Sequence, residues 1–370
     1  MIRILFLIDG ITGGGAEKAL CNLVNNMDHR EFEITVQTLW EADPAGYLAP
    51  AIRYKAINRC KTAWGKWLFH LWVRLCAAVG WLYPLYIRGD YDIEVAYLEC
   101  GATKFLAGSA NKRAKKVAWL HCDPEKRPDL LQQARKLKKQ YEKFQRVVCV
   151  SDGVKAGFDR YFGTAPSRVI HNVVDPEEIR RKAKAFPVER EDVPTFMTVG
   201  RLSPEKGVDR LVDACAMLKS AGLPFRVWIL GDGKERSALE AQVRQLGLEN
   251  EVMFLGFREN PYPYLRRADV LVSPSRQEGF STVVTEALIL GKPVVSTPSC
   301  GMEELLGCSE FGLVTPDSAR GLYEGMKEMA QNSALRAHYE KQAAIRGAAF
   351  TLEEGIRETE AFFRELLTKA

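Results

Sequence analysis

The feature that most constrains this chain is a regular alternation of short apolar, β-branched runs with longer segments of helical periodicity. Two such series occur, one before and one after Pro194. Alternation of strands and helices predicts parallel sheets that are covered by helices on both faces. The two series therefore predict an α/β protein with two doubly wound domains.

Both series predict their elements in a strand–helix order. The first series predicts strands at residues 3–8, 33–38, 92–97, 116–119, 147–150 and 169–170. Its helices are predicted at residues 16–27, 66–87, 128–144 and 153–161. The second predicts strands at 195–199, 225–230, 252–254, 270–272, 293–296 and 312–314. Its helices are predicted near 208–219, 236–246, 282–290 and 319–331.

The length also favours two domains, because single cores stop growing at roughly 250–300 residues and this chain has 370. We predict domains over residues 1–172 and 173–351, with a last helix over about 352–370 packing back onto the first. The junction, residues 173–194, contains an Asp-Pro start, a charged helical segment and Pro194, which suit a hinge. Ligands of doubly wound folds bind beyond the carboxyl ends of the strands.

The first predicted strand runs into a glycine-rich turn, Gly10-Ile11-Thr12-Gly13-Gly14-Gly15, that opens a helix. Glycines let a backbone approach a ligand closely, and a helix N-terminus offers N–H groups to an anion. The turn lacks the spacing of a Walker A loop and fits the dinucleotide fingerprint poorly. Taken alone, it is explained equally well as a tight strand–helix connection without a ligand.

The second domain begins with a strand that ends at Gly200 and is followed by Arg201. Ser203 suits a helix N-cap and the proline after it suits a first helical turn, which places Lys206 in that turn. Two cations beside a helix start form a receptor for a diphosphate. The alternative, a solvated charge pair, fits Glu205 better than Arg201 or Lys206.

A third stretch, residues 273–287, carries two glutamates eight positions apart across a loop-to-helix junction. Glu278 is predicted in the loop and Glu286 more than a turn inside the helix, so they face different parts of one elongated ligand. The small residues between them leave backbone amides available at the helix start. In isolation, Glu286 is also compatible with an exposed helical position.

Together these stretches resemble the retaining glycosyltransferase family 4 group (glycosyl transferases group 1). Its members have the GT-B fold, in which two Rossmann-like domains face each other across a cleft. The resemblance covers nearly the whole chain. It rests on five motifs: Gly13-Gly14-Gly15-Ala16-Glu17; Gly200-Arg201-Leu202 with Lys206-Gly207; the E-x7-E pair Glu278 and Glu286; residues 169–175, VIHNVVD; and residues 290–296, LGKPVVS.

The resemblance implies a retaining transferase that moves a sugar from a nucleotide-sugar donor to a glycan or lipid-linked acceptor. A UDP-sugar is favoured, with GDP-mannose second, and the expected setting is cell-surface polysaccharide synthesis. The first domain would then bind the acceptor and the second the donor. Which sugar and nucleotide are used, the acceptor, the linkage and the oligomeric state are not legible in the sequence.

The family's residue roles carry over to matching positions in this chain. Arg201 and Lys206 would bind the donor diphosphate, Glu286 the ribose hydroxyls and Glu278, as a catalytic residue, the sugar hydroxyls. Further donor contacts are implied at Gly14, Gly15, Phe257, Gly279, Phe280, Ser281 and Thr282. His121, in the segment Trp119–Asp123, matches the second catalytic position, a histidine near the donor sugar. A purely structural His121 remains an alternative.

The family's implied route is front-face attack through an ion-pair-like state, and no carboxylate stands out as a covalent nucleophile. No metal and no other cofactor is expected, because cationic side chains and helix N-termini stabilise the departing diphosphate. Asp90-Tyr91-Asp92 imitates the metal-binding DxD of another transferase fold. It precedes a strand instead of following one, which predicts a strand-entry turn.

The charge is distributed unevenly. Residues 1–172 carry 26 Lys and Arg against 17 Asp and Glu, a balance of +9, whereas residues 173–370 carry 26 against 30, a balance of −4. Residues 44–89 contain no acidic residue and include an aromatic segment, 67–87, with three tryptophans. We expect peripheral contact with an anionic membrane through this segment and a second basic surface at residues 112–116 and 135–139.

That contact should depend on salt and weaken on charge reversal at Lys61 and Lys66. The alternative is that residues 66–87 form a helix buried against its own sheet. Nine cysteines without a C-x-x-C pair, and no secretory leader at the start, favour a cytoplasmic protein on the inner face of the plasma membrane. No nucleic-acid-binding module accompanies the basic charge.

Two other functions stay open at this point. A nucleotide-sugar epimerase is possible within the same fold, but the E-x7-E and Gly-Arg-Leu motifs disfavour it. A non-catalytic, membrane-associated partner of another transferase is the alternative from a different class. A degenerate donor site would mark such a partner, whereas Arg201, Lys206, Glu278 and Glu286 are all present.

Overall fold

The computed structural model describes residues 1–41, 46–58, 64–65, 68, 71 and 86–368 of the chain. They form two compact units, of which the first consists of Met1–Val174 and the C-terminal residues from Leu352 onward. The second unit runs from Asp175 to Thr351. The division thus falls two residues beyond the boundary expected after residue 172, and the last helix belongs to the first unit.

The first unit is built on a seven-stranded sheet in the order β3-β2-β1-β4-β5-β6-β7, in which every pairing is parallel. Its strands are β1 (Ile2–Ile8), β2 (Phe32–Trp40), β3 (Arg53–Asn58), β4 (Ile93–Ala96), β5 (Lys115–Leu120), β6 (Arg146–Cys149) and β7 (Ser167–Val169). The central strands are continuous buried runs, as expected for a parallel sheet covered on both faces. Their carboxyl ends lie along one edge.

Helices connect these strands. Within residues 1–174 the structure describes α1 (Gly15–Asn26), α2 (Gly101–Leu106), α3 (Pro128–Gln132), α4 (Ala134–Tyr141) and α5 (Asp152–Tyr161), with a 3₁₀ turn at Pro124–Lys126. Ser151 caps α5 by accepting a hydrogen bond from the backbone N–H of Val154 at 3.2 Å. Serine is a favoured residue at this position because it satisfies an N–H that the helix leaves unpaired.

The second unit is built on a six-stranded parallel sheet in the order β10-β9-β8-β11-β12-β13. Its strands are β8 (Thr195–Val199), β9 (Arg226–Leu230), β10 (Val252–Gly256), β11 (Val270–Ser273), β12 (Val294–Ser296) and β13 (Leu313–Val314). Its helices are α6 (Pro176–Lys182), α7 (Val208–Ser220), α8 (Arg236–Gln245), α9 (Tyr262–Arg267), α10 (Thr282–Ile289), α11 (Met302–Leu306), α12 (Ala319–Gln331) and α13 (Ser333–Ala348). A 3₁₀ turn at Pro204–Lys206 precedes α7, and α7 packs against α12 over the buried core.

The C-terminal helix α14 (Leu352–Thr368) packs against α1 in the first unit. The fully buried ring of Phe363 meets the ring of Phe6 edge-on, with centroids 5.9 Å apart. Arg364 reinforces this contact from the surface with two bonds to the Glu31 carboxylate, at 2.9 and 2.6 Å. Aromatic burial therefore holds this helix, while the ion pair lies at the partly exposed rim.

Most predicted strands and helices are present, with ends within one or two residues of the predicted ones. The following differences have physical reasons. β3 was not predicted, because Arg53–Asn58 is a partly exposed edge strand that contains the charged residues Arg53 and Lys55. The single helix expected over 128–144 is wrong, since the backbone of Gln133 separates α3 from α4. The helix expected over 66–87 lies almost entirely outside the described residues. No helix in the described part of the chain is long and apolar enough to span a membrane.

Candidate active site

In the second unit, the segment after β8 is brought against the loop after β11 by one glycine. Gly207 has a φ of +64°, and a Cβ atom there would lie 2.1 Å from the backbone oxygen of Pro274. Only a residue without a side chain allows these two backbones to approach so closely. The Pro204–Lys206 turn therefore lies directly beside the loop that leads to Glu278.

Lys206 and Glu278 form an ion pair, with Nζ 2.7 Å from Oε1. Ser275 donates to the same oxygen at 2.7 Å. The Glu278 side chain is 13% exposed and that of Lys206 30% exposed, so water screens this pair only in part. Oε2 of Glu278 takes part in neither of these bonds. The structure thus joins two residues that the sequence predicted as separate ligands of one donor.

A second set of bonds holds this loop in place. Arg276 binds the Asp209 carboxylate through both terminal nitrogens, each at 2.6 Å. Its backbone N–H donates to the backbone oxygen of Glu205 at 2.9 Å. Two parallel bonds between a guanidinium and a carboxylate fix geometry as well as charge. Sequence reasoning missed this clamp, because neither residue differs in type from an ordinary surface charge.

Glu286 is buried on α10, at 5% exposure, which excludes the exposed helical position left open by the sequence. Its Oε1 accepts a hydrogen bond from the Tyr262 hydroxyl at 3.0 Å. Burial and the nearby Glu286 carboxylate raise the pKa of Tyr262 well above its usual range, so the phenol keeps its proton as the donor. A buried carboxylate requires such partners.

The start of α10 and the end of β10 carry the other predicted donor contacts. Ser281 caps α10 by accepting from the Val284 N–H at 3.4 Å, and it is buried, as is Phe280. Gly279 is buried and Thr282 is half-buried. Phe257, just beyond β10, is 62% exposed, which is unusual for a phenylalanine and leaves its ring accessible. Arg201, just beyond β8, is also exposed.

In the first unit, the glycine-rich turn is closed by its own helix. Glu17 turns back over the start of α1, where its Oε2 accepts from the Gly14 N–H at 3.1 Å and also from the Thr12 N–H. A carboxylate is favourable there, because it meets the positive end of the helix dipole. The Gly14 amide, which was expected to face a donor, is thus held by Glu17. Gly15 forms the first residue of the helix.

His121 follows β5, and its backbone N–H donates to Glu99 Oε2 at 3.0 Å. Both ring nitrogens are shielded from solvent without a well-formed hydrogen bond among the described residues. Burial lowers the pKa of the imidazole to about 4, so His121 is neutral at pH 7. A neutral imidazole can exchange hydrogen bonds with a sugar hydroxyl, but it supplies no positive charge.

Asp9, at the carboxyl end of β1, is a candidate site residue that the sequence did not predict. Its Oδ1 accepts from the Ala102 N–H at 3.0 Å, and burial raises the pKa of this carboxyl to about 6. Gly101 makes room for it, since a Cβ there would lie 2.4 Å from the same oxygen. An Asp-Gly pair directly after a buried strand was the signal that could have found it.

Asp90 and Asp92 lie at the opposite end of the first sheet, where Asp92 directly precedes β4. Both carboxylates pair with Arg3, at 3.3 and 3.5 Å, and Asp92 also accepts from the Arg3 backbone N–H. This is the strand-entry turn that the sequence predicted. Across the described residues, no three His, Cys, Asp or Glu side chains come together as a possible metal site.

Two parallel α/β units define a doubly wound protein, and the second unit carries paired acidic and basic side chains beyond its strands, where ligands of this fold class bind. The model for "Glycosyltransferase Family 4" matches residues 13–178, and that for "Glycosyl transferases group 1" matches residues 179–346. The chain belongs to the family 4, group 1 glycosyltransferases.

Known proteins resemble the chain in sequence and in fold. It is 33% identical over 214 residues to N-acetylgalactosamine-N,N'-diacetylbacillosaminyl-diphospho-undecaprenol 4-alpha-N-acetylgalactosaminyltransferase of Campylobacter jejuni, covering 57% of each chain. It is 29% identical over 226 residues to the lipopolysaccharide core biosynthesis glycosyltransferase LpsE of Rhizobium meliloti, covering 60% of this chain and 64% of LpsE. The matches therefore span less than two thirds of either relative.

The structural comparison concerns the fold. The structure of HepE from Anabaena, in complex with UDP and glucose, superposes with a TM-score of 0.76 at 22% identity, over 99% of this chain and 100% of that one. The GT-B fold predicted from the sequence is thereby confirmed.

Proposed function

We propose that this protein is a retaining glycosyltransferase that moves a sugar from a nucleotide-sugar donor, preferably a UDP-sugar, to a glycan or lipid-linked acceptor. The observation that carries the proposal is the Lys206–Glu278 ion pair at 2.7 Å. Glu278 lies in the loop before α10, and α10 carries the buried Glu286. The cation comes from the turn after β8, the partly shielded acid from the loop after β11, and the buried acid from the helix that follows this loop. This combination suits a ligand that is anionic at one part and rich in hydroxyls elsewhere.

The names of the relatives support the same substrate classes. The Campylobacter relative is named for a sugar transfer onto a diphospho-undecaprenol carrier, and LpsE is named for lipopolysaccharide core synthesis. HepE is described with UDP and glucose. A lipid-linked or surface glycan acceptor, a UDP-sugar donor and a role in cell-surface polysaccharide synthesis are thus the favoured choices for this chain.

In the proposed donor complex, Arg201 and Lys206 bind the diphosphate. An ammonium group has three N–H donors, so Lys206 can bind a phosphate oxygen while it keeps its bond to Glu278. Glu286 holds the ribose hydroxyls, and the exposed ring of Phe257 lies against the base. The segment from Gly279 to Thr282 contacts sugar and phosphate.

Catalysis then rests on charge that grows as the glycosidic bond to the diphosphate breaks. Cations placed where negative charge develops stabilise the transition state more than the ground state. Glu278 holds the sugar hydroxyls through Oε2, while neutral His121 exchanges a hydrogen bond with the sugar. Attack from the face that the diphosphate leaves gives retention of the anomeric configuration.

We also propose that transfer requires no metal, since Arg201 and Lys206 provide the counter-charge. Activity should persist in excess chelator. Complete loss in chelator, with recovery on adding magnesium or manganese, would refute this part of the proposal.

A position on the inner face of the plasma membrane is proposed from the charge of the first unit. Helix α4 buries Leu137 and Tyr141, while its four basic residues are exposed: Arg135, Lys136, Lys138 and Lys139. Anionic lipid attracts such residues by about 1 kcal/mol each, less at high salt. Vesicle flotation should show salt-sensitive binding to anionic lipid that the double variant Arg135→Glu/Lys138→Glu weakens, with Lys341→Glu in the second unit as control. Equal behaviour of these variants would refute the proposal.

Donor hydrolysis and transfer test the main proposal. The protein is incubated with UDP-, GDP- and ADP-sugars, and released nucleotide and anomeric product are measured. Lys206→Met should abolish turnover of the preferred donor, whereas Lys219→Met, at the far end of α7, should leave it unchanged. Failure of the wild-type protein to release nucleotide from any of these donors, with and without lipid-linked acceptor, would refute a transferase function.

A further inference from the structure

We infer that Tyr262 is a positioning residue. It orients the Glu286 carboxylate toward the ribose hydroxyls, and thereby makes the site selective for ribonucleotides. This inference rests on the proposed function and assigns a role to a residue outside the family's E-x7-E motif. It starts from the hydrogen bond of 3.0 Å between the Tyr262 hydroxyl and Glu286 Oε1.

The bond joins two buried groups. Tyr262 is 7% exposed and Glu286 5% exposed, so water competes weakly for either partner. A phenol can donate one proton, and here a carboxylate takes it through one oxygen. Hydrogen bonds to a charged acceptor are stronger and more directional than neutral ones. The rotation of the Glu286 carboxylate is therefore constrained before any ligand arrives.

The backbone around Tyr262 is itself held from two sides. Asn260 accepts from the Tyr262 N–H at 3.3 Å and donates through Nδ2 to the Lys182 backbone oxygen at 3.0 Å. It thereby ties the start of α9 to the end of α6, which packs against both α9 and α10. The hydroxyl is thus presented to Glu286 by a braced turn.

The groups facing the phenol also keep it a donor. Burial, together with the carboxylates of Glu286 and Glu178, raises the pKa of Tyr262 well above its usual range. The same segment carries Phe257 at the end of β10, five residues before Tyr262. The connection from β10 to α9 therefore supplies two groups. One is the exposed Phe257 ring proposed to contact the base, and the other is the Tyr262 hydroxyl that orients the Glu286 carboxylate.

This arrangement has a consequence that differs from a general loss of stability. With Tyr262→Phe, the carboxylate keeps its charge and place on α10 but loses the Tyr262 hydroxyl as a donor that constrains its rotation. Two ribose hydroxyls then meet a poorly oriented acceptor, whereas the diphosphate and base contacts are unaffected. We expect about tenfold weaker binding of the ribonucleotide and no change for a nucleotide that lacks both hydroxyls.

Isothermal titration tests this directly. UDP, GDP and ADP are titrated into the wild-type protein, and the tightest binder is compared with its 2′,3′-dideoxy analogue. The wild type should prefer the ribonucleotide by about tenfold, and Tyr262→Phe should reduce this preference to about twofold or less. Tyr264→Phe is the matched control, because it removes a hydroxyl from the same helix while its ring packs against Trp228 and Phe186.

The double variant Tyr262→Phe/Glu286→Gln separates an effect that passes through Glu286 from a general loss of stability. In the Glu286→Gln background the preference is already lost, so the tyrosine change should add nothing to it. An unchanged ribose preference in Tyr262→Phe would overturn the inference while leaving the proposed function standing. Failure of the wild type to bind any of the three diphosphates would overturn both.

Discussion

Gly207 offers the sharpest test of how the site is assembled, through the substitution Gly207→Ala. Gly247 is a matched control, because both glycines have a φ of +64° but a Cβ at Gly247 would have no atom within 4 Å. At Gly207 the added Cβ would lie 2.1 Å from the Pro274 oxygen. Both variants therefore share the backbone strain, and only one forces two backbones apart.

The magnitudes follow from these two terms. A left-handed backbone costs an alanine about 1–2 kcal/mol, which is the whole effect expected for Gly247→Ala. At Gly207 the Pro274 oxygen must also retreat by about 1 Å or more to reach ordinary contact distance, and such overpacking adds about 1–3 kcal/mol. We expect Gly207→Ala to lower the free energy of unfolding by about 2–5 kcal/mol.

The effect on activity should be larger than the effect on stability suggests. Moving the 274–278 loop separates Glu278 from Lys206, and a misplacement of about 1 Å in a catalytic constellation can cost about 100-fold in rate. Denaturant unfolding and donor turnover are measured on both variants at a temperature where each is folded. Equal unfolding free energies and equal turnover for the two alanine variants would refute the argument that Gly207 holds the site together.

Three further predictions follow from particular contacts. Glu278→Gln should lower transfer by about 100-fold with nucleotide affinity nearly kept, whereas Glu286→Gln should mainly weaken nucleotide binding; identical kinetics in both would contradict their separate roles. Phe363→Ala should destabilise the first unit by about 3–5 kcal/mol and Arg364→Ala by less than about 1 kcal/mol, as measured by thermal unfolding; the reverse order would contradict burial as the main term. Because burial raises the pKa of Asp9 to about 6 from its usual 3.8, the folded state binds the extra proton, and stability from this group falls as pH rises from about 4 to 6. Asp9→Asn should remove that decline and stabilise the protein at pH 7, and an unchanged pH profile of unfolding would contradict it.

The strands that could be predicted from the sequence are those with several consecutive apolar residues, because these strands are buried on both faces. β1 and β8 are interior strands of their sheets. Parallel strands covered on both faces read as nearly continuous apolar runs, which Arg3, Thr195 and Thr198 interrupt here. β3 lies at the edge of its sheet, where one side meets solvent. Its charged residues Arg53 and Lys55 interrupt the apolar pattern, so the strand was not predicted. Central strands are legible because their whole environment is apolar, and edge strands are not.

The site divides in the same way. Lys206, Glu278 and Glu286 could be predicted because each sits in a short motif, with its strand and helix start nearby. The bond between Lys206 and Glu278 spans 72 positions in the sequence and depends on a contact made possible by Gly207, so no local pattern contains it. Tyr262 was missed for a related reason, since an aromatic residue at a helix start is usually explained by packing.

For the glycine-rich turn, the sequence predicted the kind of contact but not the partner. Its sequence predicts amides turned toward an anion, and the structure does place a carboxylate on the Gly14 amide. That carboxylate is Glu17, three residues along the same helix, a spacing that also suits an N-terminal cap. Local sequence therefore predicted the anion preference of the turn but not which anion meets it.

The most direct test of the central claim is calorimetric titration of UDP, GDP and ADP, and of their sugar derivatives, into the wild-type protein and Lys206→Met. We predict that the wild type binds one of the nucleotides at a single site per chain, and that Lys206→Met weakens that binding at least tenfold. Binding of none of these ligands to the wild type, or equal affinity in the two proteins, would contradict a donor site built around Lys206 and Glu278.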